Sequence, residues 1–456
     1  MSEKEEKKEN IMGTLGITRL IMKMSLPLMI SMLIQALYNI VDSMFVARVS
    51  ETALTAVSLA FPLQNLLIAF GVGTGVGMAS YLSRKLGEKD TETATKAAGN
   101  GITLAVITWI LFAILGLTIV KPFMALFTDD AELLGLSTSY SEIVMIFSFF
   151  MLLSMMNERI LQGTGDSFSS MLSQMTGAIT NIILDPVFIF VFKMGVNGAA
   201  IATVIGQAVG CAVSLYFVIR NKYIKIKPQH LKLEKRMVAS IYSVGAPTII
   251  TNSIGTVMTG AMNAILIGFS TTAVSVFSVY FKLQSFVFMP IFGLSSGMVP
   301  IIAYNYGARK KKRVMSTIYI GTIIAIGIMV VGTIVFNLFP EALLSLFSAT
   351  EEMYRLGVPA LRIISLCFVS AAISIGLGSS FQATGYGIGT MIVSISRQLL
   401  VLIPTAYIMA KLVGINGVWF SFIIAEGVGL AVSLILFIKV YRTRIKPIGE
   451  KEVISE

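Results

Sequence analysis

Charged side chains are scarce in this sequence. Of its 456 residues only 13% are Asp, Glu, Lys or Arg, about half of the roughly 25% carried by a soluble globular chain. So few charges cannot clothe a water-facing surface of this length, which excludes a soluble enzyme and an ordinary nucleic-acid-binding protein. Cysteine is nearly missing as well. Cys211 and Cys367 both sit inside apolar runs, so neither a disulfide framework nor a Cys-based metal site has support. The one histidine, His230, lies in a basic loop. No nucleophile–base set and no metal-ligand spacing appears, and nothing points to an enzyme or to a bound cofactor.

Hydrocarbon is what abounds: 55% of the residues are hydrophobic, and the mean hydropathy is +0.83. Apolar stretches of about 20 residues or more are what a chain needs to cross roughly 30 Å of lipid as helices. Twelve are legible, at 17–47, 52–85, 94–120, 132–162, 168–193, 196–220, 236–269, 273–306, 314–339, 352–383, 387–412 and 415–440. The first run is too long for a cleaved signal peptide and follows a mixed-charge tail, so it reads as a signal anchor.

The net charge of +11 then becomes an orientation, because Lys and Arg are retained on the cytoplasmic side of short loops. Placing both termini in the cytoplasm puts Lys7, Lys8, Arg19, Arg84, Lys85, Lys89, Lys96, the run from Arg220 to Arg236, the run Arg309 to Arg313, and Arg442, Arg444 and Lys446 on one side. The other side keeps only Arg48, Lys121, Lys193, Arg355 and Lys411. The KKKR run is thereby accounted for by topology, without a nucleic-acid partner.

A shift of 220 residues lays the second half of the chain on the first. Pro27 falls on Pro247, Gln64 on Gln284, Gly73, Gly77 and Gly87 on Gly293, Gly297 and Gly307, and the QGTG at Gln162 on the QATG at Gln382. Six spans per half is an even number, so both halves insert with the same orientation. The expected fold is an all-α polytopic membrane protein, with twelve transmembrane helices in two pseudo-symmetric six-helix lobes. Its parts are a cytoplasmic tail 1–16, an N-lobe 17–220, a cytoplasmic linker 221–235, a C-lobe 236–440 and a cytoplasmic tail 441–456. A substrate cavity belongs at the seam between such lobes. The Gly71 to Gly77 run has the wrong spacing for a dinucleotide loop and reads as close helix packing.

Charges inside spans are costly, at about 2.5–3.5 kcal/mol each on insertion scales, and therefore mark function. Asp42 in span 1 and Asp185 in span 5 lie at similar depth in the outer half of the N-lobe, with Asn181 one turn from Asp185 and Thr203 of span 6 at a comparable level. Two carboxylates, an amide and a hydroxyl can hold a proton or, as hard oxygen ligands, Na+. Gln35 and Tyr38 precede Asp42 on roughly the same helix face and are candidates for the cavity wall, with helix packing as the alternative. Glu158, toward the inner end of span 4, is a third cavity candidate unless its neighbours neutralise it. In the C-lobe Lys282, Arg362, Arg397 and Glu426 are read as structural, with Glu426 paired to Arg397 or Lys282. Met and Phe, 26 and 28 in number, suit a seam that accommodates varied apolar ligands.

The segment QALYNIVDSMFVAR in span 1, SYLSRKLGEKD at the end of span 2, QGTGD after span 4 and NIILDPVFIF in span 5, set in the two-lobe repeat, resemble the multidrug and toxic compound extrusion (MATE) exporters. The resemblance covers residues 11–440 and is closest to the prokaryotic MepA-like and DinF-like branches. It implies export of amphipathic or cationic organic compounds, antibiotics among them, by alternating access in antiport with H+ or Na+. It also implies a multi-pass protein of the cell membrane, acting as a monomer among membrane lipids. Asp42, Asn181, Asp185 and Thr203 match the family's N-lobe cation site, while Gln35 and Tyr38 match polar cavity positions. Acidic residues that some branches carry in spans 7 and 10 are missing here, apart from Glu352 at an outer rim. Two competitors are a lipid-linked oligosaccharide flippase of the same superfamily, which would be expected to carry a strongly cationic cavity, and a non-transporting membrane receptor.

Overall fold

The structure, a computed structural model, describes residues 9–347 and 349–450, the last two without their side chains. Lys7 and Lys8, and tail residues 1–8 and 451–456, lie outside the described residues. Within them the chain is helical throughout, with no strand. Ten helices are long and apolar enough to cross a membrane singly, and two bent pairs complete twelve crossings. These are α1 (Ile17–Ala47), α2 (Glu51–Gly87), α3 (Thr91–Thr118), α4 (Ala131–Ile146 with Phe149–Thr164), α5 (Ser167–Val191) and α6 (Gly195–Ile219) in the first half. The second half holds α7 (Lys235–Leu266), α8 (Thr271–Gly307), α9 (Lys311–Leu338), α10 (Glu351–Ser365 with Phe368–Ala383), α11 (Ile388–Val413) and α12 (Ile415–Val440).

Local signals repeat with the spans. Ser50 caps α2 through Ala53 N–H, and Ser270, 220 residues on, caps α8 through Ala273 N–H. Asp130 and Thr350 likewise open α4 and α10. Each cap satisfies a backbone donor that lipid could not.

Spans 4 and 10 were expected as continuous helices, yet both bend by 45°. The breaks fall at Phe147–Ser148 and Leu366–Cys367, again one repeat apart. Ser148 Oγ donates to the Met145 carbonyl and Cys367 Sγ to the Ile364 carbonyl, so side chains serve backbone acceptors where the helical ladder is interrupted. Spans 5 and 11 also depart from regular helix. Val187–Val191 and Ile395–Leu402 are π-helical, beside Pro186 and Pro404, whose rings cannot donate to the ladder.

The two halves meet crosswise. On α2, a Cβ at Gly73 would lie 2.7 Å from the Gly245 carbonyl of α7, and one at Gly77 would overlap the Ile241 carbonyl. On α8, a Cβ at Gly293 would lie 2.6 Å from Met29 N of α1, and one at Gly297 2.8 Å from Ser25 Cα. Ser25 and Met29 are the repeat equivalents of Gly245 and Ile249, so one contact is made twice. At the end of the seam Gly87 touches the Tyr304 carbonyl and Gly307 the Arg84 carbonyl. Only glycine allows backbones this close. All these contacts lie toward the face that carries the basic loops, which is therefore the closed face of the seam.

Residues 10–15 reinforce this closure. Asn10 Nδ2 donates to the Thr164 carbonyl of the first lobe (2.9 Å). From the second lobe, Arg313 Nη2 donates to the carbonyls of Met12 (3.0 Å) and Leu15 (2.7 Å), and the fully buried Asn305 also donates to Met12 (2.9 Å). The linker is held on one side only: Asn100 and Thr103 of α3 donate to the carbonyls of Lys232 and Leu231.

Candidate functional site

Four helix faces of the first lobe converge on the carboxylates. One turn separates Asn181 from Asp185 on α5, and one turn separates Tyr38 from Asp42 on α1, so each pair shares a face. Asp185 is fully buried, and Asn181 and Thr203 are nearly so. The Asp42 and Asp185 carboxyls hydrogen-bond to each other across α1 and α5. Asn181 orders the other side. Its amide is best placed with the NH2 group donating to Asp185 Oδ2 (2.9 Å) and its oxygen accepting from Thr203 N–H (3.0 Å) and Oγ1 (3.2 Å). Tyr38 hydrogen-bonds to Thr203. Asp42, Asn181, Asp185, Thr203 and Tyr38 are therefore one polar cluster, as their common depth predicts. Asp42 Oδ1 is buried without a protein partner.

Two members of this cluster escape the reading of the sequence. Tyr140 of α4, buried, interacts electrostatically with Asp42, Asp185 and Tyr38. Gln64 of α2 donates to its hydroxyl at 3.3 Å. Gln64 stood out only as a mark of the repeat, and Tyr140 not at all. Depth was the usable signal: Tyr140 lies nine residues from the start of α4, level with the carboxylates.

Gln35 is exposed and outside this hydrogen-bonded set. Glu158 is buried in a second polar group nearer the basic face. Ser154 Oγ donates to one of its oxygens (3.1 Å) and Gln174 Nε2 to the other (2.7 Å). From Gln174 to Asp185 the rise along α5 is about 16 Å, so Glu158 does not join the cluster. Its neighbour Arg159 turns to the seam, donating to Gln162 Oε1 at 2.9 Å. There a cavity of about 30 Å³ is lined by Val76, Arg159, Gln162, Ser296 and Gln382, among others. That is water-sized, and it lies on the pseudo-symmetry axis, since Gln162 and Gln382, and Val76 and Ser296, are repeat partners.

The second lobe is built differently at the matching level. Asp42, Asn181 and Thr203 correspond to Met262, Val401 and Ile423, all apolar. The ion pair expected there forms between Arg397 Nη1 and Glu426 Oε1, at 2.9 Å. Lys282 instead lies over the Phe347 ring, 5.9 Å from its centroid.

Comparison with known proteins agrees with this geometry. The MatE family profile matches twice, at residues 27–187 and 247–408, which is the 220-residue repeat itself. The chain is similar to the multidrug export protein MepA of Staphylococcus haemolyticus (strain JCSC1435), 29% identical over 415 residues that span 91% of each chain. It is similar also to the multidrug export protein MepA of Staphylococcus aureus (strain MSSA476), 28% identical over 426 residues, 92% of this chain and 94% of that one. A solved structure described as the outward-facing conformation of a multidrug resistance MATE family transporter of the MOP superfamily superposes with a TM-score of 0.91. Its identity is 26%, over 97% of this chain and 99% of that one.

Proposed function

This chain belongs to the MatE family, and on that premise we propose that it is a secondary active exporter of amphipathic or cationic organic compounds, driven by protons entering through Asp42 and Asp185. Relatives that match over nine-tenths of the chain are multidrug exporters, and this supports the substrate class over an oligosaccharide flippase. The basic face is cytoplasmic by the positive-inside rule. With the seam sealed on that face, the conformation is outward-facing, as in the solved structure it superposes on.

One observation carries the choice of ion. Two carboxyl groups hydrogen-bond to each other only when one of them holds a proton, and Asp42 and Asp185 do so. The donor set is less suited to Na+, because the Asn181 oxygen is already engaged by Thr203. With the proton in place the pair ties α1 to α5. Without it, two like charges face each other away from water and push the helices apart. Proton occupancy therefore has different free energies in different arrangements of α1, which is the condition for coupling. Gln35 and Tyr38 line the path by which substrate senses that arrangement; Glu158, with both oxygens engaged, holds α4 to α5.

The test is dye efflux by everted membrane vesicles. Asp42→Asn and Asp185→Asn should each insert normally and abolish gradient-driven efflux. Efflux at the unmodified rate from both variants would refute the assignment.

A further inference from the structure

The repeat also exposes a difference between the lobes at the basic face. The turn after α4, at Thr164–Gly165, and the turn after α10, at Thr384–Gly385, are 220 residues apart, and both glycines have positive φ, 97° and 76°. Around Gly165 the neighbours are Asn10, Ile11 and Met12, and Asn10 Nδ2 donates to the Thr164 carbonyl. The segment that the repeat would send to the second turn, 230–235, is held elsewhere, on α3 through Asn100 and Thr103.

At the second turn the chain supplies cations instead. A Cβ on Gly385 would lie 2.9 Å from Arg84 Nη1 and 3.6 Å from Arg444 Nη1, so two guanidinium groups crowd one point. Arg444 Nη1 donates to the Thr384 carbonyl at 2.6 Å, in the place of Asn10 at the first turn. Lys439 Nζ and Arg444 Cζ lie 5.8 and 5.4 Å from the centroid of the Tyr386 ring. Among the described residues, none of Arg84, Arg444 and Lys439 is within ion-pair distance of a carboxylate. The nearest acid to Arg84 in charge terms, Glu88, is bound to Lys85 at 2.6 Å. Three like charges without a counter-ion repel one another, and the arrangement is favourable only with an anion among them.

We propose that Arg84, Arg444 and Lys439 form a binding site for the phosphate of an anionic phospholipid in the leaflet at the basic face. A lipid headgroup is the occupant that fits the position. The cations lie at the membrane-facing ends of α2 and α12, beside the interfacial rings of Tyr81 and Tyr386, with Lys439 exposed. Basic pockets between helices at this level suit such headgroups. Arg84 belongs to the first lobe and the other two to the second, so a bound headgroup bridges the seam where it is closed.

The experiment uses the full-length protein in neutral phosphatidylcholine micelles, with phosphatidylglycerol titrated in. Retained lipid is read by native mass spectrometry and stability by the unfolding temperature. The expected result is one retained phosphatidylglycerol, a higher unfolding temperature than in phosphatidylcholine alone, and an affinity about five-fold lower in each of Arg84→Gln and Lys439→Gln, given about 1 kcal/mol per interfacial cation. Lys439 is exposed, so Lys439→Gln tests the site even if Arg84→Gln fails to fold. Unchanged phosphatidylglycerol affinity in a folded variant would overturn the proposal, as would inorganic phosphate giving the same stabilisation, which would make the site one for soluble phosphate.

Discussion

Asp185 has no access to solvent and is held by Asn181 on one side and Asp42 on the other. A carboxylate in that position has few ways to be charged, and its neighbours decide which. Tyr38 acts at one remove, through Thr203. Removing its hydroxyl in Tyr38→Phe deletes one hydrogen bond worth about 1 kcal/mol, so initial efflux rates should fall about five-fold while transport persists. Abolished transport, or none lost, would misplace Tyr38. Glu158→Gln should differ in kind: one of its two accepted hydrogen bonds is lost, thermal stability drops, and the number of protons exchanged per substrate is unchanged. Depth counting along spans was enough to group Asp42, Asn181, Asp185 and Thr203, because charge inside lipid is costly and therefore conspicuous. Tyr140 and Gln64 were not conspicuous, since an uncharged polar side chain in a span has many bland uses.

At the scale of helices, the seam rests on glycine. Gly77→Val would drive a branched side chain into the Ile241 carbonyl of α7, and Gly307→Val would do the same at Arg84. Both variants should spread the α2 and α8 ends at the basic face, seen as longer and broader distances between spin labels placed there; unaltered distances would show that the seam yields. Arg313→Ala removes the donors to Met12, Leu15 and Asn305. It should loosen residues 10–15 and raise their amide exchange. The glycines of the seam were visible as repeated letters, but their partners on α7 and α1 were not, because a close backbone approach leaves no mark on the second helix. Neither the bends in α4 and α10 nor the π-helical stretches were foreseen. Hydropathy measures length and grease, and both are the same in a bent helix and a straight one.

For the whole molecule, duplication explains most of what the sequence discloses. Two copies of one six-helix pattern, inserted in the same orientation, give the lobes, the crossed seam and the axis on which Gln162 and Gln382 face a common cavity. The differences between copies carry the function. The first lobe keeps paired carboxylates where the second has Met262, Val401 and Ile423, and the second lobe has an Arg397–Glu426 pair that is internally neutral. Proton binding in one lobe and not the other is an asymmetry that can drive rocking about a symmetric seam.

The central claim is that Asp42 and Asp185 share the coupling proton, and proteoliposomes test it most directly. With a fluorescent cationic substrate and no Na+ present, an imposed pH gradient alone should drive transport by the unmodified protein. Adding substrate should release protons, and Asp185→Asn should do neither. Transport that requires a Na+ gradient and ignores the pH gradient, or an Asp185→Asn protein that still exchanges protons for substrate, would contradict it.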